Sequence, residues 1–172
     1  MQEARECYIQ VKGLRRTPDK RKPEATLTPH RHPSRDFAGE LSVWLRSDTK
    51  YVSAIRCLLS AVCADTRLGE EELEELKLAV GEAVCNAIEH GSPHGRDDYI
   101  RITCSIGPTG VTVSVFDTGG GFLVTPRKSR PGTLREGGYG LLLIQRLASA
   151  VHIASNRLGA TVTLEKRFPS AV

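Results

Sequence analysis

Three short stretches carry side chains able to do chemistry. Glu82 and Asn86 stand four apart in residues 78–91, L-A-V-G-E-A-V-C-N-A-I-E-H-G, and Glu89 follows one turn on. Read as a helix at ~100° per residue, they share one side and their heads are neighbours. Leu73, Leu76, Val80, Val84 and Ala87 fall on the opposite side, the one a core helix buries. Leu78, Ala79, Ala83 and Cys85 border the polar side. A helix apolar over most of its circumference is covered by other structure. A carboxylate and a carboxamide in that setting need partners. A solvent face that happens to carry Glu and Asn has the same pattern, so this stretch does not decide alone.

The other two stretches are rich in glycine. Asp117 ends an apolar run and is followed by Thr118-Gly119-Gly120-Gly121-Phe122. Glycine lets a backbone pass close to a ligand, and the Asp can accept a hydrogen bond from an exocyclic amine. A tight turn after a strand uses the same residues. Gly137-Gly138-Tyr139-Gly140 opens a helical run, where free N–H groups and the helix dipole suit phosphate. A plain loop-to-helix joint looks alike. Neither stretch is a Walker P-loop or a dinucleotide fingerprint: no Gly-Lys-Ser/Thr follows, and no strand leads directly into the second.

The elements that must position these residues follow from periodicity and breakers. Residues 40–46, E-L-S-V-W-L-R, alternate as a strand. Asp48 or Thr49 can cap a helix over 50–65, whose Val52, Ile55, Leu58, Leu59 and Val62 keep helical spacing. Gly69 breaks it. Glu70, Glu71 and Glu72 favour the positive end of the next helix, which runs to about His90. Gly91, Ser92, Pro93 and Gly95 end that helix. Residues 99–106 and 111–116 are β-branched runs joined by Gly107-Pro108-Thr109-Gly110, a hairpin signal. Residues 123–136 show no period, a length of loop that is functional or mobile in a compact domain. A helix over 141–150 and a last hairpin, 151–155 with 160–166, close the chain.

Composition bounds the class. With 172 residues the chain holds one domain with a real core. No apolar run approaches ~20 residues, so nothing is expected to span a membrane. Five cysteines without metal-ligand spacing, and no secretory apolar segment, point to reduced thiols in a cytoplasm. Residues 1–36 hold nine Lys/Arg against five Asp/Glu, while residues 37–172 hold fifteen of each. The excess charge thus sits in a Pro-containing N-terminal extension, expected to be flexible, with a short strand over 6–11. The domain, 37–172, is neutral, and no basic patch for direct nucleic-acid binding is visible. His30 and His32 read as a solvated tail rather than a metal site.

Taken in order, Glu-x-x-x-Asn on a helix, Asp-x-Gly-x-Gly after a strand and Gly-x-Gly opening a helix resemble the Bergerat-fold, or GHKL, ATPases over about residues 37–168. The local G-E-A-V-C-N-A-I-E-H-G, with Glu82, Asn86, His90 and Gly91, is similar to the anti-sigma-factor serine-protein kinases of the RsbW and SpoIIAB type. The histidine kinases of that fold need an upstream phosphoacceptor hairpin that residues 1–36 cannot supply.

The resemblance implies a fold, a two-layer α/β sandwich of a mostly antiparallel, mixed sheet with three helices on one face. It implies ATP and Mg²⁺ as cofactors, with Asn86 ligating the metal and Asp117 accepting from the adenine amine. Gly119 and Gly121 would pass the base, Gly138 and Gly140 would offer N–H groups to phosphate, and Thr161 would lie near the adenine. Glu82 would be the general base. The loop 123–136 would be a lid whose Arg127, Lys128, Arg130 or Arg135 could reach phosphate, although a solvated loop explains those four better. Arg56 would hold both protein partners, a sigma factor and an anti-anti-sigma (STAS) protein, and the chain would be a homodimer. A nucleotide-gated binding switch without phosphotransfer, or a simple ATP hydrolase, would share these motifs, and Glu82 favours phosphotransfer. Two features depart from the type: Glu89 is charged close to where a triphosphate would lie, and the N-terminal extension is long.

Overall fold

The strands are built on strict alternation. Along β3 (Tyr99–Ile106), Ile100, Ile102, Cys104 and Ile106 are buried while the residues between them are not. Along β4 (Gly110–Asp117), Val111, Val113, Val115 and Asp117 are buried in the same way. A period of two puts each set on one face of a pleated sheet. The computed structural model describes residues 7–15, 38–119 and 139–170. The remaining elements are β1 (Cys7–Arg15), β2 (Ala38–Arg46), α1 (Val52–Cys63), α2 (Glu70–His90), α3 (Tyr139–Leu147), β5 (Ala150–Asn156) and β6 (Gly159–Arg167).

The sheet has six strands in the order β1-β2-β3-β4-β6-β5, and every neighbouring pair is antiparallel. The mixed pairing expected from the sequence is therefore absent among the described strands. β4 and β5 do point the same way, as a helical crossover through α3 requires, but β6 lies between them. Strand β1 adds part of the N-terminal extension to the edge of β2, from Cys7 opposite Leu45 to Arg15 opposite Ala38, with an irregularity between Lys12 and Arg15. It overlaps the short strand expected over 6–11 and runs beyond it.

The helices cover one face. The core joins Val43 and Leu45 of β2, the buried rows of β3 and β4, and Val162 and Leu164 of β6 to Ile55 and Leu59 of α1, Leu76, Val80 and Val84 of α2, and Ile144 of α3. α2 packs on both other helices and on β3, β4 and β6, so it is the central helix. Its bounds, Glu70–His90, match the span the acidic start and Gly91 predict. The helix expected over 50–65 opens instead as a 3₁₀ turn, Thr49–Tyr51, capped by the Asp48 side chain on the Lys50 N–H, and becomes α-helical at Val52. α3 stops at Leu147 rather than 150, because Ala150 already pairs with Glu165.

Candidate active site

Asp117 is the best-defined group of the site. It ends β4 on the core face, opposite Ile100 on one side and Ala160 on the other, and is 4% exposed. Its Oδ1 accepts the Gly119 N–H at 3.1 Å and the Ala160 N–H at 3.3 Å. Burial pushes its carboxyl above the ordinary Asp value, and those two N–H bonds oppose the rise.

Three glycines pack tightly around Asp117, one of them against its carboxylate. Gly91, the residue that ends α2, packs so closely that a Cβ there would overlap the Asp117 carboxyl carbon. Gly119 lies on the Gly91 backbone, where a Cβ would come within 2.6 Å of the Gly91 Cα. Gly159 has φ +144°, in the region that favours glycine, and a Cβ there would overlap the Asp117 carbonyl oxygen. Backbone from α2, β4 and the β5–β6 hairpin thus closes on one buried acceptor. Of these residues, Gly119 is legible from its motif. Gly91 reads from the sequence as a helix end and as the close of the Glu-x-x-x-Asn motif, and Gly159 and Ala160 as a hairpin; their contact with Asp117 is hidden because it depends on tertiary pairing with β4.

Ser47 and Ser92 fix the end of α2 that carries Gly91. Ser47 Oγ donates to Ser92 Oγ at 2.5 Å, and Ser92 Oγ donates to the Ala87 carbonyl at 3.1 Å. The Gly91 N–H takes the same carbonyl at 2.9 Å.

Glu82 and Asn86 are half-buried on α2, and Glu89 is exposed. Of the apolar residues bordering them, Ala79 and Ala83 are fully buried, whereas Leu78 is 42% exposed. The Cys85 thiol is pushed up, first by burial and then by the Glu82 and Glu89 carboxylates. Across the seam from α2, the Glu82 carboxylate occupies the place a Cβ on Gly140 would need. Gly140 therefore sits in the first turn of α3 beside the acid. The described residues contain no group of three or more His, Cys, Asp or Glu that could hold a metal by themselves.

The other expected residues divide. Thr161 follows Ala160 on β6, and alternation turns it to the opposite face of the sheet from Asp117, in a row with Phe116 and Ala154. Ala160 is the residue of β6 that reaches the acceptor. Arg56 lies on α1 with its guanidinium 3.9 Å from Glu74 of α2 and its stem near Gly81. Gly121, Gly138 and the lid 123–136 with its Arg127, Lys128, Arg130 and Arg135 lie outside the described residues.

Comparison with known proteins bears on the same residues. Residues 45–166 match the model of the histidine kinase-like ATPase domain. The serine-protein kinase RsbW of Oceanobacillus iheyensis is 32% identical over 126 residues, 68% of this chain and 79% of that one. The RsbW kinases of Bacillus subtilis and Staphylococcus aureus are 31% and 32% identical, with 78% and 81% of their lengths covered. A crystal structure of RsbU and RsbW domains from Mycobacterium tuberculosis superposes with a TM-score of 0.56 at 21% identity. That match covers 77% of this chain and a third, 33%, of the other, and shows a shared fold.

Proposed function

Because the chain belongs to the histidine kinase-like ATPase domains and, among them, to the RsbW serine-protein kinases, we infer that it is an anti-sigma factor with ATP-dependent serine/threonine-protein kinase activity. It binds a sigma factor and phosphorylates an anti-anti-sigma protein of the STAS type on serine, in a bacterial cytoplasm, and it acts as a homodimer. Residues 37–172 are the kinase domain, with residues 1–36 as an extension that lends β1 to its sheet.

The observation that carries this reading is the buried Asp117 carboxylate in its glycine cradle, one helix end away from Glu82 and Asn86. A carboxylate whose Oδ1 already holds two N–H groups keeps acceptor capacity for an exocyclic amine. Adenine offers that amine at C6, where guanine has a carbonyl oxygen. Asn86 supplies an amide oxygen of the kind Mg²⁺ takes alongside phosphate and water. Held there, Mg²⁺ would offset the negative charge of the phosphates. Gly140, in the first turn of α3, would offer its backbone N–H to the same phosphates.

Glu82 does the proton work. Its carboxylate takes the proton of the substrate serine hydroxyl as that oxygen bonds to the γ-phosphorus. The bond to the β,γ-bridging oxygen breaks and ADP leaves. Half-burial keeps the carboxylate close to the reacting oxygen and out of bulk water.

The deciding experiment is single-turnover transfer from radiolabelled ATP to a cognate antagonist. Label on an antagonist serine supports the kinase. Bound ATP with no labelled protein makes the chain a nucleotide-gated switch, and phosphate release without a protein substrate makes it a hydrolase.

A further inference from the structure

Only one oxygen of the Asp117 carboxylate is taken. Oδ1 accepts the Gly119 and Ala160 N–H groups, and among the described residues nothing bonds Oδ2. No buried side-chain oxygen among those residues lacks a partner, so Oδ2 reaches a surface that a ligand can meet. It is the oxygen an adenine amine would use. A hydrogen bond weakens steeply once its angle is lost, so the amine needs Oδ2 at a fixed place. The torsion that turns an Asp carboxyl about its Cβ–Cγ bond is broad by itself, and neighbours must narrow it. Gly91 is such a neighbour. A Cβ built on it would meet Asp117 Cγ, Cβ and Oδ1, so its backbone lies against the carboxyl group.

The place of Gly91 is set by a chain of hydroxyls. Ser47 follows the last residue of β2 and is 3% exposed. Its Oγ donates to Ser92 Oγ at 2.5 Å, and Ser92 Oγ donates to the Ala87 carbonyl, which also takes the Gly91 N–H. Hydroxyls linked head to tail polarise one another, and the low dielectric around a buried serine strengthens each link. The Ser47 N–H bonds the Asp98 carbonyl at 2.9 Å, so one residue holds both ends of the turn 92–98. The other ties between the end of β2 and this turn are Arg46 to Arg96 and Asp97, and Arg96 to Asp48. Each of those has an exposed member and is screened by water.

We propose that Ser47 and Ser92 are positioning residues for base recognition: their hydroxyl relay holds Gly91 against Asp117 and so aims Oδ2 at the exocyclic amine. The proposal rests on the reading of Asp117 as the adenine acceptor and names the residues that tune it. Neither serine bonds Asp117, and both act through one glycine. Gly91 carries no side chain that could absorb a shift, so a displacement of its backbone passes directly to the carboxyl group.

The test compares ATP with purine riboside triphosphate, which has the same ring and no exocyclic amine, by titration calorimetry on the full chain. Wild type should prefer ATP. Ser47→Ala should weaken ATP about threefold to tenfold, the range of one hydrogen bond's net contribution, and leave the affinity for purine riboside triphosphate as it was. In phosphotransfer to an antagonist the loss should fall on KM for ATP and not on kcat. Ser92→Ala should do the same, and the double variant should be no worse than either, since the two hydroxyls form one relay. Ser92→Thr keeps a hydroxyl at a half-buried position and should restore the wild-type preference. Equal weakening of both nucleotides would make the serines props of the fold alone and overturn the proposal. Unchanged ATP affinity, or losses that add, would overturn it too. Asp117→Ala separates the two readings. If it abolishes the preference for ATP and Ser47→Ala does not, the relay falls and the adenine acceptor stands. If wild type shows no preference, the acceptor falls and the relay with it.

Discussion

Glu82 and Gly140 meet across the seam between α2 and α3, the acid filling the volume a Cβ would take. At the far end of the same seam the buried Lys166 ammonium bonds the Glu75 carboxylate and, at 2.8 Å, the Leu147 carbonyl. Glu75 to Glu82 and Gly140 to Leu147 are equal spans, so the helices run antiparallel and in step. The Glu82 carboxylate, the proposed base, thus owes its position to a missing methyl group. Gly140→Ala should leave the fold intact, since the atom displaced is the free end of a flexible side chain and alanine gains about 1 kcal/mol over glycine within a helix. Glu82 should swing away and single-turnover phosphotransfer should slow by about tenfold or more. An undiminished rate would show that the acid's present position does not matter to the reaction.

The roles given to Glu82 and Asn86 separate in two variants. Glu82→Gln keeps size and hydrogen bonding but cannot take a proton. It should bind Mg·ATP nearly as well as wild type and transfer phosphate about 10²–10⁴-fold more slowly. Asn86→Ala removes a metal ligand and should weaken Mg·ATP itself. Titration calorimetry and rapid quench on both variants make the comparison, and a Glu82→Gln protein as fast as wild type removes Glu82 from the chemistry.

Asp117 sets base preference and a pH signature together. Asp117→Ala should weaken ATP by roughly 1–3 kcal/mol, the scale of a lost hydrogen bond to a charged group, and wild type should prefer ATP to GTP. Equal ATP affinity by calorimetry in wild type and variant would end that assignment. For Asp117→Asn the stability sign runs the other way. A carboxyl raised on folding contributes stability below its unfolded value, ordinarily 3.8, and loses it as pH rises through the raised value. Asparagine keeps the two accepted N–H bonds without that loss. Urea melts should show the variant gaining on wild type as pH climbs through this interval, with the gain level above it. Parallel stability curves would mean that the carboxyl is not raised.

Gly91→Ala tests the cradle. Its φ of −102° suits alanine, so any effect comes from space alone. The Cβ meets the short, buried Asp117 side chain, and overpacking of that kind costs roughly 1–3 kcal/mol. Stability and ATP affinity should fall together in thermal melts with and without nucleotide. A variant as stable as wild type, with the same shift on adding ATP, would show the cradle to be loose.

Arg56→Ala should impair capture of a sigma factor or of a STAS antagonist and leave ATP affinity unchanged. Its pair with Glu74, 3.9 Å apart, is screened by solvent, so folding should hardly change. Unchanged pull-down of both partners would return Arg56 to the role of a surface charge.

The sequence reveals helices and hairpins because their signals are local. Glu70 and Gly91 bound α2 through dipole and capping, and Gly107-Pro108-Thr109-Gly110 turns β3 into β4 within a few residues. What it hides is set by distant pairing. Thr161 and Ala160 differ by one position, and only the register of β6 on β4 decides which faces Asp117. Gly91 and Gly159 meet Asp117 from elements far apart in the chain, so no window of sequence contains the contact. β1 is similar: its alternation is visible, but its place on the edge of β2 depends on a partner that begins at Ala38.

The Asp117–Ala160 bond joins residues 43 apart and bridges two hairpins, β3–β4 and β5–β6, each of which can zip by itself within microseconds. Neither hairpin alone holds the proposed adenine acceptor in its cradle, which forms only when they dock, a further loop closure. Nucleotide binding there would then be a late event in the maturation of the chain, and a half-folded molecule would be blind to ATP. Pulse-labelled hydrogen exchange should protect the Ala160 amide after the amides within each hairpin, and simultaneous protection would refute this order. Once the hairpins have docked, bound ATP stabilises the native state by mass action, so cellular ATP supply would set how long a newly made copy survives.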